Sequence, residues 1–207
     1  MGYQVLARKW RPKTFNEVIG QDHIARTLQN SILKEKVAHA YLFTGTRGVG
    51  KTTIARIFAK AIRCQNLDEK GNPCLECSSC KSIDQSNSLD YVEIDGASNN
   101  SVDNVRELIE NAQYLPTSGK YKVYVVDEVH MLSTSAFNAL LKTLEEPPEH
   151  VIFIFATTDP HKLLGTVLSR CQRFDFKHVS EETLINHVKK IAELENIKFE
   201  SEASIKI

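Results

Sequence analysis

Gly45-Thr46-Arg47-Gly48-Val49-Gly50-Lys51-Thr52 satisfies G-x-x-x-x-G-K-[ST] at each fixed position. Apolar Tyr41-Leu42-Phe43 leads into it as a strand, and Thr53 to Ile62 follows as a helix. A strand, a glycine-rich turn and a helix in that order make a phosphate cradle. The glycines let the chain turn tightly enough to aim successive backbone N–H groups at one anion. The helix start adds its partial positive charge. Lys51 is expected to reach the β- and γ-phosphates of a nucleoside triphosphate, with the Thr52 hydroxyl on Mg²⁺ and Thr53 opening the helix. A glycine-rich turn without a ligand is the competing reading, and the matched context on both sides disfavours it.

About 75 residues further on, Val123-Tyr124-Val125-Val126 ends in Asp127-Glu128. Asp127 is expected to hold the Mg²⁺ through water, and Glu128 to orient and polarise an attacking water. An acidic pair at a strand end is by itself an ordinary solvated turn. The preceding cradle gives it a catalytic reading. Strands are expected over Ala40–Thr44, Asp90–Ile94, Lys122–Val126, Val151–Ala156 and Gln172–Phe176, alternating with helical stretches, so the fold class is α/β with a parallel sheet. One of those helices, Thr134–Glu145, carries Phe137, Leu140, Leu141 and Leu144 as an apolar stripe, and Pro147-Pro148 ends it.

The 207 residues are 42% apolar and 25% charged, as in ordinary globular domains. No apolar run reaches membrane-spanning length, and the polar, basic start is no secretory signal, which predicts a cytoplasmic protein. Lys plus Arg number 26 against 26 Asp plus Glu, so an all-over basic coat for nucleic acid is excluded. The balance is uneven, however. Met1 to Arg63 holds twelve Lys and Arg against Glu17, Asp22 and Glu35, a net +9 that leaves −9 for the remainder. Such a bias suits a segment that faces a polyanion, or a plainly solvated surface.

Four of the five cysteines fall as Cys64-x9-Cys74-x2-Cys77-x2-Cys80. Without a secretory signal, disulfides are disfavoured. Four thiolates complete a tetrahedral Zn²⁺ with no open position, which makes the segment 64–80 a structural zinc module. A redox C-x-x-C pair and an iron–sulfur cluster remain the alternatives. The segment reads as too polar for the layered core, and Cys171 stands apart at a strand start. Near Lys177 to Ser180 the strand–helix alternation stops. Ser180 then reads as a helix cap before Glu181 and Glu182, with Leu184, Val188 and Ile191 as a new stripe. Residues 1–178 are therefore read as one domain and 179–207 as the beginning of a helical lid that is cut short.

Several runs carry a family resemblance: Tyr3 to Pro12, Thr14-Phe15, Val18-Ile19-Gly20-Gln21, His39 to Phe43, Asp127 to Leu132, Phe137 to Pro148 and Ser169-Arg170-Cys171. With the inserted cysteines, the chain resembles the gamma/tau family of bacterial DNA polymerase III clamp loaders, a branch of the AAA+ ATPases. The resemblance implies an ATP-driven ring of clamp-loader subunits that opens a sliding clamp and closes it around primed DNA. It implies that Arg170 acts in trans on a neighbour's ATP, and that Thr158 senses the γ-phosphate, with Thr157 as the alternative one residue away. It also implies an adenine wrap from Ala7 to Gly20, with Ala7, Arg11, Pro12, Val18 and Ile19 as contacts. For the DNA backbone, Lys142, Lys162, Asn99 and Asn100 are the candidates. Two other classes stay open: a DNA-translocating AAA+ motor and a nucleotide-binding scaffold that does not hydrolyse. A polymerase label would describe only the larger assembly, since no set of polymerase carboxylates is present.

Overall fold

The computed structural model describes residues 5–197. Tyr3 and Gln4 of the resemblance, and positions 198–207 of the expected lid, lie outside the described residues. The strands are β1 (Ala40–Thr44), β2 (Tyr91–Asp95), β3 (Lys122–Asp127), β4 (Val151–Thr157) and β5 (Gln172–Asp175). The helices are α1 (Leu6–Lys9), α2 (Asp22–Leu33), α3 (Lys51–Arg63), α4 (Ser78–Asp84), α5 (Val102–Ala112), α6 (Thr134–Glu145), α7 (Gly165–Leu168) and α8 (Glu181–Leu194). All strand pairs are parallel, in the order β2-β3-β4-β1-β5.

The inner strands β1 and β4 are buried along their whole length, so they read as unbroken apolar runs without alternation. The two faces still separate by parity. Tyr41 and Phe43 of β1 and Ile152 and Ile154 of β4 pack with Leu28, Ile54 and Phe58 of α2 and α3. Leu42, Phe153 and Phe155 face α5 and α6 through Leu108, Phe137, Leu140 and Leu144. Truncating one of these large side chains removes its burial and leaves a cavity, costing about 3–5 kcal/mol for a Phe.

Element ends follow local chemistry. Ser101, Ser133 and Ser180 each accept a backbone N–H at the starts of α5, α6 and α8. The helix after the phosphate motif is longer than Thr53–Ile62, because Gly50 already caps it and Arg63 is anchored inside the fold. The second strand starts at Tyr91, not Asp90. The Asp90 side chain is buried and accepts from Arg63 Nη2 at 2.9 Å, Thr117 N at 2.8 Å and Ser118 N at 3.0 Å. Burial alone would raise its pKa; the Thr117 and Ser118 donors and the Arg63 guanidinium outweigh that and hold the carboxyl below its usual range. The last strand ends at Asp175, whose carboxylate accepts from the Thr44 hydroxyl of β1.

The cysteine segment is more engaged with the core than its polarity predicts. Cys80 is fully buried, and buried Asn72 accepts the Phe15 backbone N–H at 3.0 Å. At the far end, α8 buries only Ala192, while Leu184, Val188 and Ile191 are half-covered. Among the described residues no helix is long and apolar enough to cross a membrane.

Candidate active site

The phosphate motif forms the β1–α3 turn. Gly50, at φ +97°, takes the left-handed geometry that a side chain would strain, and so starts α3 with its first N–H groups facing outward. A cavity of about 360 Å³ opens there, lined by Arg47, Gly48, Gly50, Lys51, Thr52 and Thr53 with Arg11, Asp95, Asp127 and Glu128. Gly45, Thr46 and Val49 shape the turn without lining the cavity. Lys51 Nζ donates to Gly45 O at 2.8 Å and Thr46 O at 2.9 Å, which spans the loop from within. Burial lowers the Lys51 pKa, and Glu128 and Asp127 oppose that.

β4 separates β1 from β3, yet the acidic strand reaches the cradle at its C-terminal end. Thr52 Oγ1 donates to Asp127 Oδ2 at 2.6 Å across 75 residues of chain. These two oxygens are suited to a shared Mg²⁺, a hard cation that takes oxygen ligands. Glu128 adopts φ +47°, rare for a residue with a side chain, and its Oε2 accepts from Thr158 Oγ1 at 2.9 Å. Thr157, fully buried at the end of β4, points its hydroxyl at His130 instead, Nδ1 to Oγ1 2.9 Å. Of the two threonines, Thr158 is the one that touches Glu128.

Arg170 lines none of this cavity. Its guanidinium donates to Glu145 Oε1 at 2.7 Å and to Thr166 O at 2.6 Å, at the surface before β5. A separate cavity of about 450 Å³ lies between the N-terminal segment and α8, lined by Arg11, Pro12, Ile19, His187 and Ile191 among others. Arg11 borders both cavities and donates from Nε to Thr53 Oγ1 at 3.1 Å. Ala7 and Val18 line neither: Ala7 is exposed on α1, and Val18 packs on the core. Lys142 and Lys162 are exposed, the latter 3.3 Å from Asp159. Asn99 instead donates to Asp95 O at 3.0 Å, closing the turn after β2, and Asn100 O accepts the Ser133 N–H. A further cavity, about 560 Å³ between β2 and α5, shares no residue with the phosphate site.

Two site features escape the motif reading. Asp95 ends β2 in register with Asp127 and lines the phosphate cavity. The Ala97 N–H and the Ser98 hydroxyl hold its pKa below the usual carboxylate range, with Arg47 adding to them. Gly96 follows it because a Cβ there would stand 2.8 Å from Glu128 O and 3.0 Å from Asp127 O. Gln21 is fully buried, donating to Lys177 O at 2.6 Å and accepting from Lys177 N at 3.2 Å. It fastens the N-terminal segment to the exit from β5, ahead of α8. Only the quoted Val18-Ile19-Gly20-Gln21 run signalled it.

The four cysteines converge as expected. Cys64, Cys74, Cys77 and Cys80 place their sulfurs within 4.8 Å of one another, and backbone N–H groups of Cys74 and Cys77 point at Cys64 Sγ and Cys74 Sγ at 3.2 and 3.4 Å. That donor set suits a closed tetrahedral zinc site, whose sulfurs would stand about 3.8 Å apart at a Zn–S distance near 2.3 Å. Cys171 lies apart, packed on the core, where burial pushes its thiol up to about 12.

A parallel sheet with the phosphate loop after β1, and the acidic strand end brought to it across β4, defines a P-loop nucleotide-binding domain of the AAA+ type. Solved structures of similar fold include the Thermotoga maritima RuvB Holliday junction branch migration motor, 18% identical with a TM-score of 0.65 over 94% of this chain and 58% of that one. A DNA polymerase III gamma subunit-related protein of the same organism is 23% identical, with a TM-score of 0.52 over 79% of this chain and 48% of the other. At those identities the likeness speaks to fold. The sequence model of the family described as "DNA polymerase III, delta subunit" matches residues 20–180. The Haemophilus influenzae DNA polymerase III subunit tau/gamma is 55% identical over all of this chain and 30% of its own length, and the Bacillus subtilis subunit tau 53% over 36% of its length. The chain belongs to the DNA polymerase III gamma/tau family, and it spans about a third of the length of these relatives.

Proposed function

We propose that this domain binds MgATP in the 360 Å³ cavity and hydrolyses it as a motor unit of a clamp loader, which opens a sliding clamp and places it on primed DNA. One observation carries the reading: Thr52 Oγ1 and Asp127 Oδ2 meet at 2.6 Å in a cavity that Lys51 and Glu128 also line. The loop N–H groups and Lys51 bind the β- and γ-phosphates. Thr52 and Asp127 hold Mg²⁺, which offsets phosphate charge when bound. Glu128 takes the proton of the attacking water as its oxygen bonds to the γ-phosphorus and the bond to the β,γ-bridging oxygen breaks. Arg11, Pro12 and Ile19 border the space between N-terminal segment and lid and serve as the adenine side, with Ala7 and Val18 in supporting positions. Arg170 serves a neighbour's ATP across a subunit interface, and residues 1–178 and 179–207 act as ATPase domain and lid.

The names and identities of the relatives favour a polymerase-assembly subunit over a translocating motor, whose likeness rests on fold alone. Partner subunits, clamp and primed DNA are read from that family. Lys142, Lys162, Asn99 and Asn100 are the backbone-contact candidates, of which Asn99 is the most committed to its own turn. The test is clamp loading by the full-length protein with its partner subunits. Loading is expected with ATP and to stop before clamp release with a non-hydrolysable analogue. Loading at full rate without nucleotide would overturn the reading.

The cysteine module is proposed to hold one Zn²⁺ as a structural support for the N-terminal segment through Asn72 and Phe15. Metal analysis of protein purified without added metal is expected to give about one zinc per chain. Stripping it with a strong chelator is expected to lower the thermal midpoint by about 10 °C or more, because a structural site couples binding to folding. Iron in place of zinc, or an unchanged midpoint after stripping, would contradict this.

A further inference from the structure

Beside Glu128 stands a side chain that the motifs leave without a role. His130 lies in the single helical turn Val129–Met131 that follows Glu128 directly. Its side chain is 9% exposed, and Nδ1 lies 2.9 Å from Thr157 Oγ1 and 3.5 Å from Glu128 Oε2. Thr157 Oγ1 already accepts the Asp159 backbone N–H at 3.0 Å.

The position of the proton follows from these neighbours. A bare Nδ1 lone pair turned toward a carboxylate oxygen is repelled. An Nδ1–H attracts both oxygens, and the Thr157 hydroxyl still has a lone pair to receive it. Thr158 donates a hydrogen bond to the same atom at 2.9 Å, and an Nδ1–H 3.5 Å away, whose hydrogen bond goes to Thr157, adds an electrostatic attraction to Glu128 Oε2 from the other side. Glu128 Oε1 carries no hydrogen bond among the described residues. The backbone of Glu128 sits at φ +47°, a geometry that persists only where the surroundings enforce it.

We propose that His130 is a positioning residue for the Glu128 carboxylate: its Nδ1–H, seated on Thr157, holds Oε2 and leaves Oε1 to the attacking water. The proposal rests on the reading of Glu128 given above. His130 lines none of the phosphate cavity, so its contribution falls on turnover and not on nucleotide affinity. It also ties the carboxylate to the end of β4 and the turn Pro160–Lys162 that follows, so a shift of that turn would move Glu128.

The test uses the full-length protein assembled with its partner subunits, and compares His130→Ala, His130→Asn and His130→Gln with Glu128→Gln. Asparagine places an amide N–H near the position of Nδ1, whereas glutamine reaches toward that of Nε2. His130→Ala is expected to lower kcat about tenfold with ATP affinity within about twofold of wild type. Asparagine is expected to restore most of the loss and glutamine little. In single-turnover experiments, adding His130→Ala to Glu128→Gln is expected to cost nothing further. A wild-type kcat in His130→Ala, equal behaviour of the Asn and Gln variants, or a loss fully additive with Glu128→Gln would overturn the proposal. If His130→Ala does not fold, the Asn–Gln comparison decides alone, since both keep a polar side chain in place. Wild-type turnover in Glu128→Gln would remove the reading beneath the proposal. That result is distinct from a silent His130→Ala beside an impaired Glu128→Gln.

Discussion

Glu128→Gln, in the full-length protein with its partner subunits, is expected to cut ATP turnover about a thousandfold while leaving ATP affinity within about twofold. The amide has nearly the shape of the carboxylate and keeps an oxygen for the Thr158 hydroxyl, 2.9 Å away in the wild type. What it loses is the basic oxygen that takes the proton of the attacking water. Lys51, Thr52 and Asp127 are untouched, so the phosphate and magnesium contacts remain. Phosphate release under saturating ATP, beside an equilibrium nucleotide titration, separates the two effects. Unchanged turnover would leave the domain a nucleotide-binding scaffold, the reading that the acidic pair argues against.

Arg170→Ala is expected to lower turnover of the assembled ring by about a thousandfold or more, with affinity of the same subunit for ATP unaffected. Within one chain Arg170 is occupied by Glu145 and Thr166 at the surface and lines none of the phosphate cavity. On the proposed reading, its guanidinium acts on a site that another subunit brings to it. Mixed assemblies check this: a subunit carrying Arg170→Ala should silence the wild-type site next to it and leave its own site able to hydrolyse when its neighbour is intact. Loss confined to the mutated subunit's own site would contradict action in trans. Arg170→Lys should not rescue, because the ammonium lacks the planar fork that a phosphoryl group needs.

The sequence made the sheet legible because β1, β3 and β4 are buried on both faces and so stand out as short apolar runs between helical stripes. β1 has the expected ends, β3 and β4 run one residue further, β2 is displaced by one residue and β5 stops one residue early. Asp90 left its strand for Arg63 and the turn at Thr117, a contact that no local pattern announces. The phosphate loop and the cysteines were readable because their function fixes the spacing of neighbouring residues. Gln21 and His130 were not, since each meets a partner far along the chain, Lys177 and Thr157, and Asp95 was not, because only the strand register brings it beside Asp127. The residues expected around adenine divide in the structure. Arg11, Pro12 and Ile19 line a cavity, while Ala7 and Val18, equally apolar or small, are turned to solvent and core.

The early excess of positive charge also divides on inspection. Arg47 and Lys51 face the phosphate cavity with Arg11, whereas Lys60 and Arg63 are buried against Asp84 and Asp90. Part of the +9 thus serves the fold and part lines the phosphate cavity, which is why net charge alone could not distinguish an ATP site from a nucleic-acid surface.

The defining measurement is a calorimetric titration of the full-length protein with ATP, in the presence and absence of Mg²⁺, for wild type and Lys51→Ala. The expected result is one ATP bound per chain, strengthened by magnesium, with affinity reduced at least about a hundredfold in Lys51→Ala. Binding of equal strength in Lys51→Ala would place the nucleotide outside the Gly45–Thr52 loop and contradict the assignment of this cavity.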